Sequence, residues 1–252
     1  MIIKGQIIFK TAFFGIAFET IEVVAPCTQV SKASIELSPT EGTLLEIEIA
    51  GTDTFNEAIN KAREVASYFA KVLTFDLGIF HDNFHLVEDR LFGEGLLPDG
   101  NTQRVISLRG SGGAGGSITV EQKLGDKQLI ELKKLLHNKH LPCFYLYEQF
   151  HSALQLTDPM SKFMALYNTI LSLCNDNQKD VDKNIMLIQP SVSVNAPYRP
   201  RKSGIKKTVY TRLRNQVGHV RPGTTIEATS KEMEANLSSF VRITKELISK
   251  KY

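Results

Sequence analysis

The chain has no tryptophan and only three cysteines, Cys27, Cys143 and Cys174, scattered through 252 residues. Its aromatic core must therefore come from 14 Phe and 7 Tyr. An odd, unclustered set of thiols offers neither a disulfide framework nor a zinc site, which fits a reduced, cytoplasmic setting. No apolar run reaches the roughly 20 residues that a membrane-spanning helix needs, so no membrane partner is expected. The N-terminal MIIKGQIIFK carries Lys and Gln within its short apolar stretch and reads as a strand rather than a signal peptide.

One charge sign is also missing over a long stretch. Between Lys183 and Ile226 there is no Asp or Glu, while nine bases occur: Lys183, Arg199, Arg201, Lys202, Lys206, Lys207, Arg212, Arg214 and Arg221. The whole chain carries only +3, so the remainder is net acidic. Solvated surfaces usually mix signs. A basic island on an acidic chain concentrates positive potential, and a polyanion is its natural partner.

The apolar content, 42%, is enough for packed cores, and the length suits two domains of roughly 100–150 residues. Residues 1 to about 50 read as strands, with GQIIFKTAFFG and TLLEIEIAG showing β-branched and alternating patterns. The period then changes. Thr52 or Asp53 is placed to cap a helix whose inward stripe is Phe55, Ile59, Ala62, Ala66, Phe69, Val72 and Leu73. HDNFHLVEDRLFGEGLLPDGNTQR reads as a loop-rich connection. His81 and His85 within it are four apart, but Asn83 stands where a zinc protease motif has Glu, and no third ligand is placed. RGSGGAGGSITV lacks the Gly-Lys-Ser/Thr of a phosphate loop and runs into a strand pattern, so it reads as a hairpin or surface loop. A short amphipathic helix, GDKQLIELKKLLHNKH, follows.

From about residue 141 the pattern is helical. CFYLYEQFHSALQL carries a Phe144, Tyr147, Phe150 and Leu154 stripe; Thr157 or Asp158 caps the next helix, with Pro159 at its first position. The polar, Pro-containing span 175–204 reads as a long functional loop. A further helix starts near Ile205, and a last one opens on a Thr229/Glu232 capping box. The expected architecture is an α+β domain, 1–140, followed by an all-α helical bundle, 141–252.

The helix near Ile205 carries TRLRNQVGHV, residues 211–220. On a helix, Asn215 and His219 share a face. Arg214 and His219, five apart, are separated by about 140° and roughly 7.5 Å of rise. They meet at one ligand only if the helix ends near Gly218 or if two copies of the chain combine. The residue types suit RNA cleavage by attack of a 2′-hydroxyl on the adjacent phosphate. An imidazole, His219, can serve as acid or base; a guanidinium, Arg214, matches the phosphorane oxygens; Asn215 can orient the imidazole or donate to phosphate. Lys206, Lys207, Arg201, Arg212 and Arg221 are candidates to hold RNA backbone, and Tyr210 either stacks on a base or packs inward. No metal or other cofactor is required.

RNQVGH resembles the Arg-x4-His signature of HEPN ribonuclease domains in the form with Asn after Arg. The wider YTRLRNQVGHVRPGTTIEATSKEM resembles HEPN proteins of the methylamine utilization protein J-like kind. The resemblance covers roughly residues 141 to 252. It implies a helical bundle that homodimerises to bring two motifs together, with Arg214 and His219 at the catalytic positions and Asn215 at the polar one. It further implies metal-independent endoribonuclease activity leaving a 2′,3′-cyclic phosphate, in a toxin or antiviral defence role; a further option is a toxin held off by its own N-terminal domain or by a protein partner such as an antitoxin. Where many members carry an acid in the second bundle helix, this chain has Asn168, Ile170 and Leu171. The alternative is a non-catalytic module that binds RNA or protein through the same basic face.

Overall fold

The computed structural model describes residues 2–11, 18–23, 27–38, 42–77, 84–96, 102–110, 130, 134, 136, 143–195, 206–218 and 224–251. The chain divides into two compact units. One comprises Met1–Asp76 and His81–Leu141; the other comprises Leu77–Phe80 and Pro142–Tyr252.

The first unit is built on an antiparallel sheet of six strands: β1 (Ile2–Thr11), β2 (Phe18–Val23), β3 (Val30–Ser38), β4 (Gly42–Thr52), β5 (His85–Leu96) and β6 (Thr102–Gly110). Their spatial order is β2-β3-β4-β1-β5-β6. Alternation decides the register. Ile7 lies opposite Ile47, Phe9 opposite Leu45, and Ile35 opposite Leu45 from the other side. All five are buried, so a one-residue slip would turn the whole apolar row to solvent. Helix α1 (Phe55–Leu77) buries Ile59, Ala62, Ala66, Phe69, Val72 and Leu73. Its cap is Thr54, not Thr52 or Asp53. The Thr54 hydroxyl accepts from the Glu57 amide at 3.1 Å, and the Glu57 carboxylate accepts from the Asp53 amide at 3.1 Å.

The expected loop-rich connection at 81–104 is instead largely the β5–β6 hairpin, with β5 paired to β1. Its inward row is Asp89, Leu91 and Gly93, which has one apolar side chain and so hides the period of two. Asp89 is fully buried and its Oδ1 accepts from the Ser107 hydroxyl at 3.1 Å. His85 is an exposed strand residue, so it shares no helix face with His81, which lies outside the described residues. The Gly-rich run from 111 and most of the expected helix after it also lie outside them.

The second unit holds α2 (Phe144–Gln155), α3 (Pro159–Leu173), α4 (Gln178–Ile188), α5 (Val209–Gly218) and α6 (Ile226–Lys251). A two-residue antiparallel ladder, β7 (Val194–Asn195) with β8 (Lys207–Thr208), joins them, so the unit is helices plus a ladder rather than helices alone. Asp158 caps α3, its carboxylate accepting from the Ser161 amide at 2.7 Å with Pro159 in the first turn. Helix α4 occupies part of what reads as a loop. Asn177 caps it, and Val181, Asp182 and Ile185 turn inward. Helix α6 starts at Thr225, whose hydroxyl accepts from Ala228 N; Thr229 lies inside the helix and donates to the Thr225 carbonyl. The expected Thr229/Glu232 capping box is therefore not formed. Phe240 of α6 is the hub of the core, with Phe163 of α3 at 4.6 Å and Tyr210 of α5 at 4.5 Å between ring centroids.

Gly5 marks a register shift in β1. Its φ is +138°, and a Cβ there would lie 2.2 Å from the Arg90 carbonyl oxygen of β5. Gly5→Ala is expected to lower the urea midpoint by the equivalent of about 2–3 kcal/mol, since backbone rather than a flexible side chain must move. An unchanged midpoint would mean that the β1–β5 pairing tolerates a shift.

Candidate functional site

Helix α5 is anchored by a carboxylate that precedes the acid-free stretch by one residue. Asp182 of α4 is 3% exposed, and its Oδ1 accepts from Thr208 N at 2.9 Å and from the Thr208 hydroxyl at 2.8 Å. The same hydroxyl accepts from Thr211 N at 3.4 Å, which makes Thr208 the N-cap of α5. The helix starts there, later than the sequence suggests, and is described as far as Gly218. Its inward stripe is Val209, Tyr210 and Leu213. Tyr210 is 1% exposed, stacked on Phe240 and Phe163, and its hydroxyl donates to Gln189 Oε1 at 3.1 Å. It packs inward and presents no ring to a base. The spacing Tyr210, Leu213, Val217 already contained that answer.

Arg214 and Asn215 lie on the side of α5 that meets α3 and α4. The Arg214 guanidinium carbon stands 5.8 Å from the centroid of the Tyr167 ring. Arg214 Nη1 donates to Asn215 Oδ1 at 3.1 Å, and Gln178 Nε2 donates to the same oxygen at 3.2 Å. Tyr167 is fully buried, with its hydroxyl 2.9 Å from the Thr211 hydroxyl. Arg214 Nε is buried without a hydrogen-bond partner, and no carboxylate pairs with this guanidinium, among the described residues. No local sequence pattern points to Tyr167 or Gln178, because nothing local links α3 or the start of α4 to residue 214.

The other bases divide differently. Arg212 is not a free cation. Its Nη2 pairs with Glu232 of α6 and its Nη1 donates to Gln216 Oε1 at 3.1 Å. Arg212 thus loses most of its value for holding RNA backbone. Lys183 pairs with Asp180 at 3.6 Å. Lys206 is exposed and Lys207 half-buried at the ladder. His219, Arg221 and Arg201 lie outside the described residues.

Burial, with a smaller contribution from Asp182, pushes the Tyr167 phenol up to about 12, against the hydrogen bonds from Thr211 and Gln178. The hydroxyl therefore stays protonated at neutral pH. Burial also raises the Asp182 carboxyl, while the bonds from Thr208 and Thr211 pull the other way. Among the described residues there is no cluster of three His, Cys, Asp or Glu side chains suited to a metal, and no helix long and apolar enough to cross a membrane.

Comparison with protein-family models, curated proteins and solved structures returned no match. The geometry itself therefore carries the functional argument.

A carboxyl whose folded value is raised binds its proton more tightly in the folded state. The linked stability is present below the ordinary Asp range, about 4, and is lost as pH rises through the folded value. Asp182→Asn keeps an acceptor for Thr208 and removes this titration. Its urea midpoint is expected to improve relative to wild type between pH 4 and pH 7, whereas Asp182→Ala, which orphans two donors, loses about 2–4 kcal/mol throughout. Parallel midpoint curves for wild type and Asp182→Asn would refute the assignment.

Proposed function

We propose that the second unit is a HEPN-type helical bundle and that the protein is a metal-independent endoribonuclease. The observation that carries this reading is the state of Arg214. Its guanidinium is held by an aromatic ring and an amide, with no carboxylate against it among the described residues, in a stretch of chain that contains no acid. A preorganised, unneutralised guanidinium suits charge that develops on a phosphorane, and its planar fork matches phosphate oxygens.

In the proposed reaction a ribose 2′-oxygen attacks the adjacent phosphorus and the bond from phosphorus to the 5′-oxygen breaks. His219 takes the 2′-hydroxyl proton, and the imidazolium so formed gives a proton to the departing 5′-oxygen, leaving a 2′,3′-cyclic phosphate and a 5′-hydroxyl. Arg214 and Asn215 bind the phosphate oxygens. Two copies of the chain form a homodimer that brings the motifs together, and the activity serves as a toxin or antiviral effector restrained by a protein partner.

The second reading, an RNA- or protein-binding module without catalysis, draws on Asn215. Its amide oxygen is already occupied by Arg214 and Gln178, as a purely structural residue's would be.

Incubation of the purified protein with total RNA in EDTA separates the two. Wild type is expected to cleave and leave 2′,3′-cyclic ends, His219→Ala to lose about 10²–10⁴ in rate, and Arg214→Ala about 10²–10³. RNA bound with steep salt dependence but left uncut by wild type would favour the binding module.

A further inference from the structure

Asn215 could serve a phosphate site in two ways, by accepting from an imidazole or by donating to an oxyanion, and the hydrogen bonds around it choose. A guanidinium has five donors and no acceptor. Since Arg214 Nη1 points at the Asn215 side chain at 3.1 Å, the atom it meets must be the amide oxygen. Gln178 brings its own Nε2 to that oxygen at 3.2 Å, which fills the second lone pair. Gln178 also lies near enough to the Tyr167 hydroxyl to pull its pKa down, so it sits by the ring beneath Arg214 as well. Asn215 is 9% exposed and has little room to turn over without breaking both bonds.

We propose that Gln178 is the positioning residue of this site: it locks the Asn215 amide so that Arg214 and Asn215 together turn only N–H donors toward a phosphate oxyanion. The proposal rests on the ribonuclease reading and adds what sets the polarity of its binding fork. Asn215 acts as a phosphate donor and not as the acceptor that orients His219. Gln178 itself touches no substrate. It opens α4, immediately after the Asn177 cap, so its placement is fixed by the α3–α4 turn. Asn177 Oδ1 accepts from Lys179 N at 3.0 Å, which pins the backbone on both sides of Gln178.

Gln178→Glu tests this at nearly constant shape. A carboxylate at this place cannot donate to Asn215 Oδ1; it leaves that oxygen held by Arg214 alone, repels it and neutralises the guanidinium. Binding of a labelled single-stranded RNA would be measured by anisotropy over a salt series, in the His219→Ala background so that the probe stays intact. Cleavage kinetics would be measured separately with His219 in place. Gln178→Glu is expected to flatten the slope of log affinity against log salt by about one, as one lost phosphate contact does. It should also lower kcat about 10–100-fold, with a melting temperature close to wild type. Gln178→Ala adds no charge and leaves Asn215 held by Arg214 alone; a fall of about 3–10-fold is expected. A purely structural role would move the melting temperature and leave the salt slope alone. If Arg214→Ala flattens the slope and slows cleavage while Gln178→Glu matches wild type in both, the positioning role is wrong and the ribonuclease reading stands. If Arg214→Ala also matches wild type, the ribonuclease reading itself falls.

Discussion

Asp182 accepts from both the amide and the hydroxyl of Thr208 in the interior of the second unit, and those two bonds determine where α5 begins. Everything at the candidate site follows from that start. With Thr208 as N-cap, Thr211 falls opposite the Tyr167 hydroxyl and Asn215, four residues on, falls opposite Gln178. A start one residue later would rotate the helix surface by about 100° and take Arg214 off the Tyr167 ring. Each bond to a buried charge contributes on the order of 1.5–3 kcal/mol, set against the cost of dehydrating the carboxylate. The raised Asp182 pKa indicates that dehydration of the charged carboxylate outweighs these bonds. What the carboxylate supplies is register: α4 and α5 are fixed to each other although about 20 residues of chain separate them.

The two arginines of α5 show what that register does. Arg212 and Arg214 are two residues apart and therefore about 200° apart around the helix. Arg212 faces α6, where Glu232 neutralises it. Arg214 faces α3 and α4, where it meets an aromatic face and an amide oxygen but no acid among the described residues. A ring face attracts a cation without cancelling its charge, and an amide oxygen aligns it at little electrostatic cost. The chain thus holds one guanidinium still by neutralising it and the other by means that leave it charged.

Much of this was legible in the sequence and some could not have been. The strands of β1 and β4, the inward stripe of α1, and the Asp158–Pro159 start of α3 are local patterns, and they formed where local chemistry put them. The β5–β6 hairpin escaped because its inward row includes a carboxylate, Asp89, and a glycine, Gly93, so the apolar alternation was broken by the residues that make the fold. Helix α4 is hidden because it is short, opens on the polar run QKD, bunches most of its apolar residues in its last turn and runs into Pro190. The pairing of Arg212 with Glu232 spans 20 residues and joins two helices, which no local pattern encodes. The charge count over 183–226 read as an acid-free island, yet folding brings Asp182 and Glu232 in from just outside each end.

The chemistry of the cluster also limits what it can do alone. Arg214 only donates; the Asn215 oxygen is occupied twice; Asp182 is engaged with Thr208; and Tyr167, held near 12 by burial, keeps its proton at neutral pH. The cluster can therefore bind and stabilise an oxyanion, but none of these four groups is free to accept a proton at neutral pH. In the proposed reaction the base must come from elsewhere, and His219, next in sequence after Gly218, is the candidate. The Arg-x4-His spacing points to it. On the proposed reading, oxyanion binding belongs to Arg214 and Asn215 of α5 and proton transfer to His219, which follows them in sequence. Mutations in the fixed cluster should then act on phosphate affinity and charge stabilisation, and mutations at the imidazole on proton transfer.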